Sequence, residues 1–287
     1  MSIRLTIPAR PHALGSLTVR RLLPASERQM IGPFIFMEVG GPTEVPRHLA
    51  RGVPEHPHAG LSTFTYLMDG ALRHRDSAGY SSAVYAGDIA LMTSGRGISH
   101  EELPEGPTSH ENQRVHFVQM WLALPDELEE MAPAFELHRA ADLPEISGSG
   151  SRVRVAMGHA WGLQAPTTCH VPTVFADLFL EAGAERRIDV DHEEVAIVLL
   201  EGNAHIDGTP LASDALHVLG SRSPSLRSDT GCRALVLGGA PFPSSRFIGG
   251  SFVASTGGKL RRWMREARLG QFPRIRSALP SQPPEPV

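Results

Sequence analysis

Between Ser62 and Met92 the chain is broken at short, regular intervals by Asp69-Gly70, Ser77-Ala78-Gly79 and Gly87-Asp88. Glycine, aspartate and serine suit turns because they accept backbone shapes or local hydrogen bonds that bulkier residues do not. Strand, turn and strand recurring at this spacing predict an all-β sandwich or barrel. The pattern extends upstream, where Leu17-Thr18-Val19-Arg20 alternates and Pro24 and Gly32-Pro33 break the chain before Phe34-Ile35-Phe36-Met37. It continues through Arg114–Leu122, which closes a first unit. Strand-like runs resume at Val153–Met157, Val174–Leu180, Ala184–Val190, Glu194–Leu200, Leu216–Leu219 and Arg233–Leu237.

Helical signals are few. Asp126–Met131 is acidic and predicts a short turn of helix. Leu260, Trp263, Met264 and Ala267 recur at helical spacing, with Gly257-Gly258 before them and Gly270 after. Lys259, Arg261, Arg262, Arg265 and Arg268 occupy the opposite face. Such a helix either packs on a barrel with its cations in water or meets a membrane or acidic partner; the first is expected. Pro144–Ser151 is small and polar and predicts an exposed loop. The Pro-rich stretch Leu279–Pro286 predicts no regular structure.

One pair of strands carries chemistry. In Glu55-His56-Pro57-His58 the two histidines share a face, because successive strand side chains alternate. The same arithmetic puts His100 and Glu102 together, with Glu101 turned away. If the two strands are neighbours with these faces inward, three imidazoles and a carboxylate meet. That set suits Fe(II) above all, and also Mn, Ni, Cu or Zn; no thiolate favours structural zinc. Four ligands on an octahedral ion leave two positions open.

A weak duplication relates the two halves. Tyr66-Leu67-Met68-Asp69-Gly70 parallels Val198-Leu199-Leu200-Glu201-Gly202. Counting back equally, His56 and His58 correspond to Ile188 and Val190; aligning Asp88 with Asp214, His100 and Glu102 correspond to Leu226 and Ser228. The second copy lacks every ligand and predicts an interior filled by side chains.

The run from His56 to Glu102 resembles the metal-binding domain of the pirin family, within the cupin superfamily. The resemblance extends to Arg20–Pro24, Gly32–Phe36, Gln119-Met120-Trp121 with Leu124-Pro125, and Gly250–Val253. It implies two cupin-type β-barrels (a bicupin) with a short C-terminal helix. Residues 1–130 would form the metal-binding barrel, 131–272 a barrel without ligands that ends in the helix, and 273–287 a mobile tail. It also implies iron held by His56, His58, His100 and Glu102. Departures lie at Glu38-Val39-Gly40-Gly41-Pro42, at Glu101 between the second pair of ligands and at Ala240; the ligands themselves are intact.

The resemblance implies a dioxygenase that opens the ring of a flavonol such as quercetin or a related phenolic, with Glu102 as both ligand and base. The alternative it implies is a non-enzymatic, redox-responsive regulator that binds protein partners; an isomerase using the ion as a Lewis acid is a third reading. A net charge of −4 offers no general basic field, so neither nucleic acid nor membrane is an expected partner. No apolar run reaches the roughly 18–20 residues a membrane helix needs. Cys169 and Cys232 are too few for a disulfide framework and fit a reducing cytoplasm. No Gly-x-Ser-x-Gly pattern supports a serine hydrolase.

Among the other polar groups, Arg73-His74-Arg75-Asp76-Ser77 either supports the ligands from behind or holds a hairpin turn. Asp69 and Asp88 read as turn residues. His116 lines the cavity mouth or crosses the barrel.

Overall fold

The structure is a computed structural model that describes residues 2–15, 17–46, 49–105, 112–220 and 223–276. The tail expected at Leu279–Pro286 lies outside the described residues. The first half runs β1 (Ile3–Pro8), β2 (Arg10–Leu14), β3 (Leu17–Leu23), β4 (Phe34–Val45), β5 (Val53–His58) and β6 (Leu61–Asp69). It continues with β7 (Ala71–Asp76), β8 (Ser81–Tyr85), β9 (Ile89–Thr93), β10 (Ile98–Pro104), β11 (Gln113–Ala123) and β12 (Ala134–His138). The second half begins with β13 (Glu145–Gly148), β14 (Ser151–Met157), β15 (His159–Ala160), β16 (Leu163–Gln164), β17 (Thr173–Leu180) and β18 (Glu185–Arg187). Then follow β19 (Glu194–Gly202), β20 (His205–Ile206), β21 (Thr209–Pro210), β22 (Ala215–Leu219), β23 (Ser225–Arg227) and β24 (Cys232–Gly239). The short pair β25 (Phe247–Gly249) and β26 (Phe252–Ala254) precedes α1 (Gly257–Arg268).

Each half builds one broad sheet and one narrow one. The broad sheets run β12-β9-β6-β11-β4-β3-β2 and β1-β22-β19-β24-β17-β14-β13; the narrow ones run β5-β10-β7-β8 and β18-β23-β20-β21. The two orders correspond strand for strand, so the fold is a pair of β-barrels with one short C-terminal helix. One edge strand crosses over: β1, from the start of the chain, completes the second broad sheet, while β12 completes the first.

The largest core lies between the barrels. Phe34, Met37, Phe64, Val118 and Met120 of the first broad sheet meet Met157, Phe175, Val198, Leu216 and Leu237 of the second. The second barrel's interior is closed by Val153, Ile188, Val190, Ile206, Leu226 and Val236. Ile188, Val190 and Leu226 are each at most 5% exposed, as a filled interior requires, although the register sets Leu226 opposite Arg186 and not opposite Ile188 as the duplication would have it. Fully burying such side chains is worth roughly 1.5–3 kcal/mol apiece, which is why this barrel is filled.

Three local expectations are corrected. Pro144–Ser151 is no loop: β13 pairs with β14 around Ser149-Gly150, both at positive φ (52° and 69°), the backbone a tight hairpin needs. Asp126–Met131 forms consecutive turns, with Leu128 and Glu129 N–H on the Pro125 carbonyl, and no helix follows. The α1 cations are not all solvated, because Lys259 pairs with buried Glu129 and Arg262 with Glu130. The apolar face of α1 packs as expected, with Trp263 1% exposed beside Ala59 and Phe252. No described helix is long and apolar enough to cross a membrane.

Candidate metal centre

β5 and β10 are antiparallel neighbours, and their register sets His56 opposite His100. A bulge between His100 and Glu102 then shifts the pairing. One ring nitrogen from each of His56, His58 and His100 lies within 4.8 Å of the other two. His56 Nε2 is 3.0 Å from His58 Nε2 and 3.2 Å from His100 Nε2.

The protons can be placed. His58 Nδ1 lies 2.9 Å from the Ser251 carbonyl, and His56 Nδ1 lies 2.8 Å from the Pro54 carbonyl. A carbonyl only accepts, so both Nδ1 atoms carry hydrogen and both Nε2 atoms present bare lone pairs. Lone pairs facing each other at 3.0 Å repel unless a cation lies between them. Two nitrogens bound at a right angle, each about 2.1 Å from one ion, stand about 3.0 Å apart. The donor set therefore fits a metal.

Burial keeps the His58 and His100 imidazoles neutral, the form that can bind a metal. It lowers the His58 pKa to about 3, aided by His56 and opposed by the Ser251 hydrogen bond. His100 is pushed well below its ordinary value, first by burial and then by His58, His56 and His74. Its Nδ1 is buried with no partner among the described residues.

No Glu102 oxygen joins the cluster that the three imidazole nitrogens form; Glu102 lines the same cavity, and its Oε1 accepts from Thr65 Oγ1 at 3.1 Å. Glu101 points away, as alternation requires, and pairs with Arg75 at 2.9 Å. The Arg73–Ser77 cluster divides. Asp76 Oδ1 holds the hairpin through the Ala78 and Tyr80 N–H groups. Its Oδ2 meets His74 Nε2 at 3.0 Å, and the His74 ring lies 5.4 Å from that of His100. Asp88 holds its turn through Tyr85 N–H and Ala140 N–H, and Asp69 pairs with Arg114.

His116 lies on the opposite face of β11 from the cavity, against the second barrel. There Arg233 binds Asp177, which also accepts from the Tyr66 hydroxyl at 2.8 Å. Neither expected position of His116 is right, because both assumed a side chain turned into the first barrel.

A cavity of about 390 Å³ opens onto the three imidazoles. Its wall includes Phe36, Leu67, Leu103, Phe117, Trp121 and Ile248. Trp121 meets the His58 ring edge-on at 5.2 Å and stacks on Phe36 at 4.2 Å. Phe117 comes so near Gly40 that a Cβ there would fall 2.2 Å from the ring. Thr65, Gln119, Trp121 and Phe36 were not picked out from the sequence as site residues. Alternation along β11 places Gln119 with Trp121, but which barrel face they line depends on strand pairing.

The chain's end completes the site. Ser251 gives its carbonyl to His58 and its hydroxyl to the Pro57 carbonyl. Val253 N–H donates to the Ala59 carbonyl at 3.1 Å. Trp263 lies against Gly60, where φ is +75° and an added Cβ would fall 1.9 Å from the Val253 carbonyl.

The Pirin domain matches residues 16–122, and the Pirin C-terminal cupin domain matches residues 175–273. The chain belongs to the pirin family. A pirin-like protein of Caulobacter vibrioides is 32% identical over 94% of this chain and 94% of its own length. A Pseudomonas aeruginosa protein with a provisional quercetin 2,3-dioxygenase name is 35% identical over 95% of this chain and 87% of its own. The crystal structure of quercetin 2,3-dioxygenase from Acinetobacter baumannii superposes with a TM-score of 0.88, at 31% identity, covering 99% of this chain and 95% of that one.

Proposed function

We propose that this pirin is a metal-dependent dioxygenase acting on a flavonol or related phenolic, by ring opening of the quercetin 2,3-dioxygenase type. The observation that carries the reading is a cavity of about 390 Å³, walled by aromatic and aliphatic side chains, that ends on three convergent imidazoles. A surface acting only on protein partners needs no such cavity. The names of the Pseudomonas and Acinetobacter proteins support the same class.

His56, His58 and His100 would hold the ion, with Glu102 as the fourth ligand. Fe(II) suits the set best, and Mn, Ni, Cu or Zn are compatible with it. When bound, the ion supplies charge to stabilise an anionic substrate oxygen and an open position for dioxygen. Glu102 takes the proton of the substrate's 3-hydroxyl on a carboxylate oxygen. The Thr65 hydroxyl lies 3.1 Å from Glu102 Oε1 and can orient that carboxylate. Trp121 and Phe36 give the flat substrate a surface and keep water from its reacting edge. The unpaired thiols Cys169 and Cys232 suit a cytoplasmic protein.

The test joins metal analysis with oxygen uptake. Protein loaded with Fe(II) should consume oxygen with quercetin, and the Glu102→Gln variant should not. Equal rates would remove Glu102 from its role. No uptake with any phenolic, alongside a protein partner held differently by oxidised and reduced protein, would favour the regulator.

A further inference from the structure

Four strands of the first barrel place polar side chains in one row across an apolar cavity. Arg21 on β3 is in register with Glu38 on β4, Glu38 with Gln119 on β11, and Gln119 with Thr65 on β6. All four line the cavity, and the row ends at Glu102. Neighbouring strands stand about 4.8 Å apart, so the row spans roughly 14 Å from Arg21 to Thr65. Rows on either side are apolar, with Phe36 and Trp121 on one side and Phe117 and Leu67 on the other.

The row is expensive to bury and is only partly satisfied from within. Glu38 and Thr65 are 3% and 2% exposed. Arg21 Nε donates to Glu38 Oε1 at 2.6 Å, and Thr65 lies 2.6 Å from Gln119 Oε1. The Thr65 hydroxyl has a single hydrogen, so it serves either Gln119 or Glu102 at one moment. Among the described residues, nothing engages the Gln119 amide nitrogen or Arg21 Nη1. Polar groups kept in an apolar pocket without full pairing are those that orient a ligand.

We propose that Arg21, Glu38 and Gln119 form a hydroxyl-reading subsite, which makes the preferred ligand a flat aromatic carrying hydroxyls on the ring far from the metal. The inference rests on the dioxygenase reading for the class of ligand and goes beyond it in naming the residues that choose among members. A phenol both donates and accepts. Arg21 and the Gln119 amide nitrogen offer donors, and Glu38 an acceptor. Arg21 is fixed for the purpose, clamped by Glu38 and lying 4.8 Å over the Phe36 ring. The aromatic rows grip the faces of the ligand, while the polar row reads its edge.

The experiment is binding without turnover. Metal-loaded protein is titrated, free of oxygen, with three flavonols that share the 3-hydroxyl and carry zero, one or two hydroxyls on the distal ring. Quenching of the tryptophan fluorescence, of which Trp121 on the cavity wall supplies a part, reports binding, and calorimetry checks it. Wild-type affinity should rise by roughly tenfold or more from the bare ring to the doubly hydroxylated one. In the double variant Arg21→Met, Glu38→Met, which leaves neither charge unpaired, most of the preference should be lost, with the three affinities drawing close to the wild-type value for the bare ring and Gln119 keeping the remainder. Gln119→Leu should reduce the preference in part, and serves if the double variant does not fold. An unchanged preference in folded variants, no preference in wild type, or no binding would overturn the subsite. Oxygen uptake separates the two readings. A preference without uptake keeps the subsite and removes the dioxygenase, whereas uptake without a preference does the reverse.

Discussion

The two barrels have the same sheets in the same strand order and opposite interiors. In the second, Ile188, Val190, Leu226 and the buried Ser228 close the space. In the first, His56, His58, His100 and Glu102 border a cavity. The shared strand order therefore does not make a site. What makes one is the replacement of a few inward apolar side chains by imidazoles, at the cost of the packing that the other barrel keeps. The filled barrel is free to hold the empty one, and the largest core lies at the seam between them.

The comparison can be broken most sharply by giving the first barrel the second's residues. A His56→Ile, His58→Val variant should lose its metal entirely while keeping its thermal midpoint, as read by elemental analysis and calorimetry. Retained metal would mean that these imidazoles are not the ligands.

Trimming the interiors comes next. Leu226→Ala, at a position 0% exposed, should cost about 2–5 kcal/mol by denaturant titration. Leu103→Ala, on the cavity wall, should cost under about 1 kcal/mol because it already faces open space. Equal losses would mean that the cavity is not open in solution.

A smaller effect tests the tie between the halves. Ser251→Ala removes the hydroxyl from the Pro57 carbonyl and loosens the strand that carries His58. Metal affinity should fall about tenfold with little change in melting. A loss of stability without loss of affinity would make the contact structural only.

The smallest effect lies at the seam. Burial, then Arg233 and Arg20, lower the His116 pKa from its ordinary 6.5 to about 4. As pH falls below about 6.5 the unfolded chain takes up a proton that the folded one refuses until about 4, so stability drops across that window. His116→Leu should flatten this slope in acid denaturation curves, and an unchanged slope would place its source elsewhere.

The features legible in the sequence were those with a local period. The His56–His58 pair needed only the alternation of a strand, and the apolar second interior needed only a count back from Gly70 and Gly202, whereas the bulge between His100 and Glu102 left no mark in the spacing. Ser149-Gly150 was a legible turn signal within a stretch read as loop. The crossing of β1 into the second barrel was not legible, because a pairing partner about two hundred residues away leaves no mark on either segment. The polar row from Arg21 to Glu102 appears only once register is known. The support of His58 comes from a backbone carbonyl, a group every residue carries, so no side chain advertised Ser251.

That carbonyl lies 193 residues downstream of the imidazole it steadies. During synthesis the ligand strand emerges early, yet the group that fixes its histidine leaves the ribosome only when the chain is nearly finished. Any ion these imidazoles hold would therefore be gripped only late in the protein's life, and a product cut short before residue 251 would carry its imidazoles without that support.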